Sequence, residues 1–189
     1  MKKVFNTLSA LLLFQVVAYA QQPANRTSAT KIADVLAQQP AEEHGKFLMA
    51  MKELEGFTAE DIANLLQGLK PQGGNNAATE YAANSYSFYV MQSGMDTKRE
   101  IFSQGLILAL DKITDKDNKG FVLTLMKQAS KNEAVSAIVP YLKDDYLVDK
   151  AALALNGIRT PEAAQALSKA LSESQSEKQP RLLLRHWAT

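Results

Sequence analysis

The feature that most narrows the folds open to this chain is an internal repeat. "NEAVSAIVPYLKD", Asn132 to Asp144, lies over "PEAAQALSKALSE", Pro161 to Glu173, without a gap at an offset of 29 residues. Glu133 falls on Glu162, Ala134 on Ala163, Ile138 on Leu167 and Leu142 on Leu171. The same offset places Leu125-Met126 over Ala154-Leu155 and Ala129 over Ile158. Two amphipathic helices per unit of about 30 residues, joined by tight turns, are the mark of a helical repeat array. A single pair cannot bury its apolar faces alone, so the pairs must stack.

Helical periodicity extends well beyond the repeat, and strand signals are nearly absent. Even "YSFYV", rich in β-formers, places Ala82, Tyr86, Tyr89 and Val90 on one helical stripe. A first helix is expected around Thr30 to Gln38, stopped by Pro40. A second runs from about Ala41 to Glu55, with Phe47, Leu48, Met51 and Leu54 on its apolar face. In the third, Thr58 can cap the free amides while Phe57 and Ile62 form a hydrophobic staple. Its stripe is Ile62, Leu65, Leu66 and Leu69. "KPQGGNN" then breaks the chain and is the clearest internal linker.

A fourth helix is expected to about Gln92, and a fifth from the capping box Thr97-x-x-Glu100, burying Phe102, Leu106, Ala109, Leu110 and Ile113. "DKDNKG" reads as a polar turn before a sixth helix that buries Val122, Leu125, Met126 and Ala129. The seventh carries Val135, Ile138, Val139 and Leu142, and the eighth Leu147, Ala151, Ala154, Leu155 and Ile158. Thr160 caps the ninth, with Pro161 at its first position, where a missing amide costs nothing. A last helix is expected over roughly Glu177 to Trp187.

"EAVSAIVPYLKDDYLVDKAALALNGI" resembles a HEAT-type repeat of the short, phycobilisome-lyase-like kind. Asp144-Asp145 occupy that family's acidic turn, and Ala151 to Leu155 its Ala/Leu-rich run. The family's usual Val-Arg is here Val148-Asp149, a departure from the pattern. The resemblance is good from about Lys98 onward and weak before the linker. The whole layout is also similar to the helical front segments of exported Bacteroidetes-type HEAT-repeat proteins, some of which carry a sugar-active domain further along. The resemblance implies an all-α, right-handed α-α solenoid of HEAT-like pairs with a helical N-terminal leader. Such repeats serve scaffolds, adaptors and a minority of enzymes, so the motif specifies architecture only.

The start of the chain carries an address. "MKK" is basic, "LSALLLFQVVAYA" is apolar, and Ala18-Tyr19-Ala20 fits the small-x-small rule for cleavage after Ala20. The apolar run is shorter than the roughly 20 residues that span a bilayer, so no membrane insertion is expected after cleavage. The expected division is a signal peptide over 1–20, a disordered leader over 21–29, N-terminal helices over 30–70, a linker over 71–76 and the solenoid over 77–189. Taking Lys2 and Lys3 from 21 basic residues leaves 19 against 20 acidic ones, a poor balance for binding nucleic acid. The chain has no cysteine, so no disulfide framework is available.

Residues Asp115 to Met126 imitate the front of an EF-hand. Asp115, Asp117 and Gly120 fit positions 1, 3 and 6, but Lys119 stands at position 5 and Met126 where a bidentate Glu belongs. That ligand set does not hold calcium. His44 and His186 lack a third ligand, and no HExxH, GxSxG or cysteine nucleophile is present. Gly73-Gly74 follows a helix and not a strand, unlike a phosphate-cradling loop. No cofactor, metal or catalytic residue is therefore expected.

The candidates for partner contact are Tyr81, Tyr86 and Tyr89, beside Phe88, together with Leu183 and Trp187 near the C-terminus. Leu182, Leu183, Leu184 and Trp187 cannot all face inward from one helix. That end is expected to dock onto something, to self-associate, or to mark an architecture that once continued. The sequence thus reads as an exported, periplasmic or secreted, non-catalytic module for binding or scaffolding an unknown protein. The alternatives are an accessory helical module of a carbohydrate-active envelope system, implied by the resemblance, and an enzyme with a site in the inner groove.

Overall fold

A computed structural model describes residues 26–173. Every regular element among them is helical. Helix α1 is Ser28–Leu36, α2 His44–Leu54, α3 Ala59–Gln67, α4 Ala77–Tyr89, α5 Asp96–Lys112 and α6 Lys116–Ala129. A broken stretch follows, with 3-10 turns at Asn132–Ala134 and Val139–Lys143 flanking the short α7, Val135–Ile138. Helix α8 is Val148–Ile158 and α9 is Pro161–Glu173. The expected signal peptide, most of the leader and the helix expected over 177–187 lie outside the described residues.

Side-chain caps account for several of the boundaries. Thr27 caps α1, accepting from the Thr30 amide at 3.2 Å, so the helix starts inside the stretch expected to be a disordered leader. Thr58 and Asp61 form a reciprocal capping box on α3 at 3.0 and 3.1 Å, with Phe57 and Ile62 both buried. Thr160 caps α9 through the Ala163 amide at 3.3 Å.

Five expectations are corrected. Helix α2 begins at His44 and not near Ala41, because Pro40 and the extended Glu43 keep the preceding stretch out of the helix. Its buried stripe uses Ala50, Met51 and Leu54, and Leu48 faces solvent. Helix α5 begins at Asp96, which places Thr97 inside the first turn, where it cannot cap; Gly94, at φ +84°, makes the turn before it. "DKDNKG" is the first turn of α6 and not a connection, because the Asp115 carboxylate accepts from the Asn118 amide at 2.9 Å and starts the helix there. The expected seventh helix is broken where Pro140 supplies no amide.

The helices pack by alternate numbers. The most extensive contact is α3 on α5, followed by α6 on α8, with α1 on α3, α2 on α4 and α4 on α6 in the same pattern. Sequence neighbours such as α5 and α6, or α8 and α9, close the pairs. One contiguous apolar core results, running from Val35 to Leu167 across the linker. The 29-residue repeat is written into it: Leu125, Met126 and Ala129 are buried on α6, and Ala154, Leu155 and Ile158 on α8.

Several polar links between elements fall near the same spacing, while others, such as Tyr89 to Glu55 and Lys112 to Glu60, do not. Arg26 pairs with Glu53 and Lys31 with Asp61, at sequence separations of 27 and 30. The buried Arg99 guanidinium donates to the Ala129 carbonyl, 30 residues on, and Ser103 meets Ser130, 27 residues on. Lys116 to Asp144, Asp117 to Tyr146 and Asn132 to Thr160 continue the series at 28, 29 and 28. The first two lie ahead of the linker, where the sequence shows the repeat only weakly.

Candidate interaction surface

Helix α4 carries "AATEYAANSYSFY", and its two faces divide the aromatic residues. Ala82, Ala83 and Tyr86 point into the core. The Tyr86 ring meets Phe102 of α5 edge-on at 5.3 Å and stacks on Tyr89 at 6.1 Å. Burial pushes the Tyr86 hydroxyl well above its ordinary value, so it stays protonated. Tyr89 is half-buried and donates through its hydroxyl to Glu55 at 3.0 Å. Burial would raise the Glu55 carboxyl, but bonds from Lys52 and Tyr89 outweigh it and hold the group below its ordinary value. Lys98 donates to the Glu55 carbonyl at 2.6 Å, so α2, α4 and α5 are fastened together behind the exposed face.

That face presents Tyr81, 41% exposed, Phe88, 55%, and Met91, 48%, just beyond the helix end. Their spacing of seven and then three residues puts all three on one stripe, with Asn84 between them. The neighbouring α2 exposes Leu48 and Met49. Of seven large apolar side chains exposed among the described residues, five thus lie on or beside these two helices, which locates the candidate surface.

The sequence candidates are therefore separated. Tyr81 and Phe88 come together on the surface, and Tyr89 lies at its margin in a bond to Glu55. Tyr86 is a core residue and is withdrawn as a contact, because its ring is spent on Phe102. Leu183 and Trp187 lie outside the described residues. Sequence reasoning missed Met91, Leu48 and Met49. The signal for Met91 was its helical register with Tyr81 and Phe88 inside the stretch expected to be helical to about Gln92.

The groups considered for chemistry are engaged elsewhere. Asp115 caps α6, Asp117 accepts from the Tyr146 hydroxyl, and the Lys119 ammonium donates to the Leu110 carbonyl at 2.9 Å. These carboxylates belong to a helix start and an inter-helix link, and they do not converge on a cation. No group of three or more His, Cys, Asp or Glu able to hold a metal occurs among the described residues. Nor is any described helix long and apolar enough to cross a membrane. A groove of about 570 Å³ between α6 and α8 is lined by Phe121, Thr124, Tyr146 and Lys150, among others.

No family model matches the chain, and neither a curated protein nor a solved structure matches it.

Proposed function

We propose that this chain is an exported, non-catalytic interaction or scaffold module, working in the periplasm or outside the cell after cleavage following Ala20. In this reading it is a right-handed α-α solenoid of HEAT-like helix pairs, with the first helices as its leader. The packing of alternate helices and the polar links spaced by 27 to 31 residues support the stacked architecture.

The observation that carries the function is the exposed stripe of Tyr81, Phe88 and Met91 on a helix whose other face is locked into the core. Aromatic side chains bring large contact area with little rotamer freedom to lose, and Met adapts to the opposing surface. A stripe at helical spacing fits an apolar groove on the partner.

The test is position-dependent photocrosslinking in cells that export the protein. A photoreactive residue at Phe88 is expected to trap a discrete partner that the same probe at Ser136, exposed on α7, does not trap. The pair Phe88→Asp and Tyr81→Ser should abolish that product while changing stability by only about 0.5 kcal/mol, as for other surface substitutions. Equal trapping from both positions, or an undiminished product in the double variant, refutes the assignment.

A further inference from the structure

The chain has no cysteine, so no thiol intercepts an oxidant ahead of its methionines. Five methionines fall among the described residues, and they are placed unevenly. Met51 and Met126 are wholly buried, and Met95 is half-buried just before α5. Met49, 65% exposed, and Met91, 48%, are the two that stand in solvent.

Both belong to the part of the molecule that carries the candidate surface. Met91 completes the stripe of Tyr81 and Phe88, and its amide donates to the Phe88 carbonyl at 3.1 Å, which fixes it to the end of α4. Met49 stands on α2, which packs on α4. Met51, two residues further along the same helix, is turned into the core. An oxidant in solvent therefore meets thioethers beside the contact face before it meets those of the interior.

Hydrogen peroxide suffices for the chemistry. The sulfur lone pair attacks one peroxide oxygen, and the O–O bond breaks as the S–O bond forms. The proton of the transferred oxygen passes to the departing hydroxide, and water leaves. Sulfur gives up two electrons, which reduce the peroxide. The sulfoxide so formed puts a polar, hydrogen-bond-accepting oxygen where an adaptable apolar side chain stood. Buried on an apolar partner without a donor, that group opposes binding.

We propose that Met91 is an oxidation site through which a peroxide switches the α4 surface off. The switch is reversible, since methionine sulfoxide reductases restore the thioether. Met49 takes oxygen as well but stands off the stripe, so it does not set the switch. The switch rests on the reading of that stripe as a partner contact, whereas the modification site rests on exposure and chemistry alone.

In the test, purified chain with the photoreactive residue at Phe88 is treated with hydrogen peroxide and freed of it by catalase. It is then irradiated in an extract of the cells that make it, so that the partner itself meets no peroxide. Peptide mapping by mass spectrometry should find one added oxygen at Met91 and at Met49 while Met51 and Met126 stay thioethers, with the far-ultraviolet circular dichroism unchanged. The crosslinked product should fall about ten-fold, as for burial of an unpaired polar group, and return after treatment with the sulfoxide reductases. Met91→Leu, which has no sulfur, should keep its own untreated yield through the same exposure. A Met91 that oxidises no faster than Met126 overturns the site. A product undiminished once Met91 is oxidised, or lost equally in Met91→Leu, overturns the switch. No product from the untreated chain refutes the partner contact and the switch with it, and the oxidation map still decides the site.

Discussion

Gly105 of α5 lies tight against α3, and replacing it with alanine should invert the usual effect of that change. A Cβ at position 105 would stand 2.5 Å from the Ile62 Cβ, 2.6 Å from its Cγ2 and 2.9 Å from the Ala59 carbonyl oxygen. Carbon atoms in contact rest about 3.5–4.0 Å apart, so the overlap exceeds about 1 Å. Ile62 is β-branched and stiff at χ1, and the Ala59 oxygen is backbone, so neither yields without moving a helix. Overpacking of this kind costs about 1–3 kcal/mol, and the gain in helix propensity from Gly to Ala returns about 1 kcal/mol. With backbone as one of the obstacles the upper end applies, and Gly105→Ala should lose about 2 kcal/mol, or about 4–8 °C in Tm for a chain of this size. Urea unfolding followed by circular dichroism measures it. Gly45→Ala on α2 is the control, because its Cβ would meet nothing within 4 Å, and it should be neutral or stabilising by up to about 1 kcal/mol. An increase in stability for Gly105→Ala would show that α3 and α5 are not seated against each other as described.

Asp61 offers a test by pH. Burial would raise its carboxyl, but hydrogen bonds from Lys31, the Thr58 amide and Ser28 outweigh it and hold the group at about 2, against an ordinary value of 3.8. A depressed carboxyl adds stability that is fully present above the unfolded value and is lost as pH falls through about 2. With Lys31 partly in solvent, the full linkage value is discounted, and Asp61→Asn should cost about 1–2 kcal/mol at neutral pH. That cost should shrink toward pH 2; one that does not change between neutral pH and pH 2 refutes the assignment. Millimolar calcium should leave Tm unchanged, because Asp115 and Asp117 are committed to the α6 start and to Tyr146. A clear upward shift in calorimetry would reopen the loop as a cation site.

Features decided within a few residues were legible in the sequence. Phe57, Thr58 and Ile62 announce the start of α3, and Thr160-Pro161 that of α9, because caps and staples are local. "DKDNKG" misled for the same reason: Asp, Asn and Gly favour turns, yet one of them, Asp115, is itself the cap that turns the rest into helix. The inward side of α4 was legible, since the stripe Ala82, Tyr86, Tyr89 and Val90 read from helical spacing is the side that packs on the core. Which aromatics remain for a partner was not. Tyr81, Tyr86, Phe88 and Tyr89 are alike as residue types, and the choice falls to Phe102, a partner on another helix. The polar links near 30 residues apart were invisible for a related reason. Lys31 and Asp61 are unremarkable alone, and only the packing of α1 on α3 makes them a pair.

The loop after α3 is clasped at its neck, and inside it the Gly74 amide donates to the Pro71 carbonyl at 3.0 Å. The Asn76 side chain bonds both the amide and the carbonyl of Lys70 at 2.8 Å, and Asn118 of α6 donates to the same carbonyl at 3.1 Å. Beyond that clasp Gln72 to Gly74 are exposed; Gly73 turns the chain at φ +92°, and a Cβ on Gly74 would overlap that of Lys70, so both glycines belong to the turn itself. Cutting the backbone there would therefore not release two halves, since α3 stays pressed on α5 and the apolar interior runs across the break. The crest is accordingly a place where the protein can be nicked, tagged or given a guest sequence while its two sides go on behaving as one body.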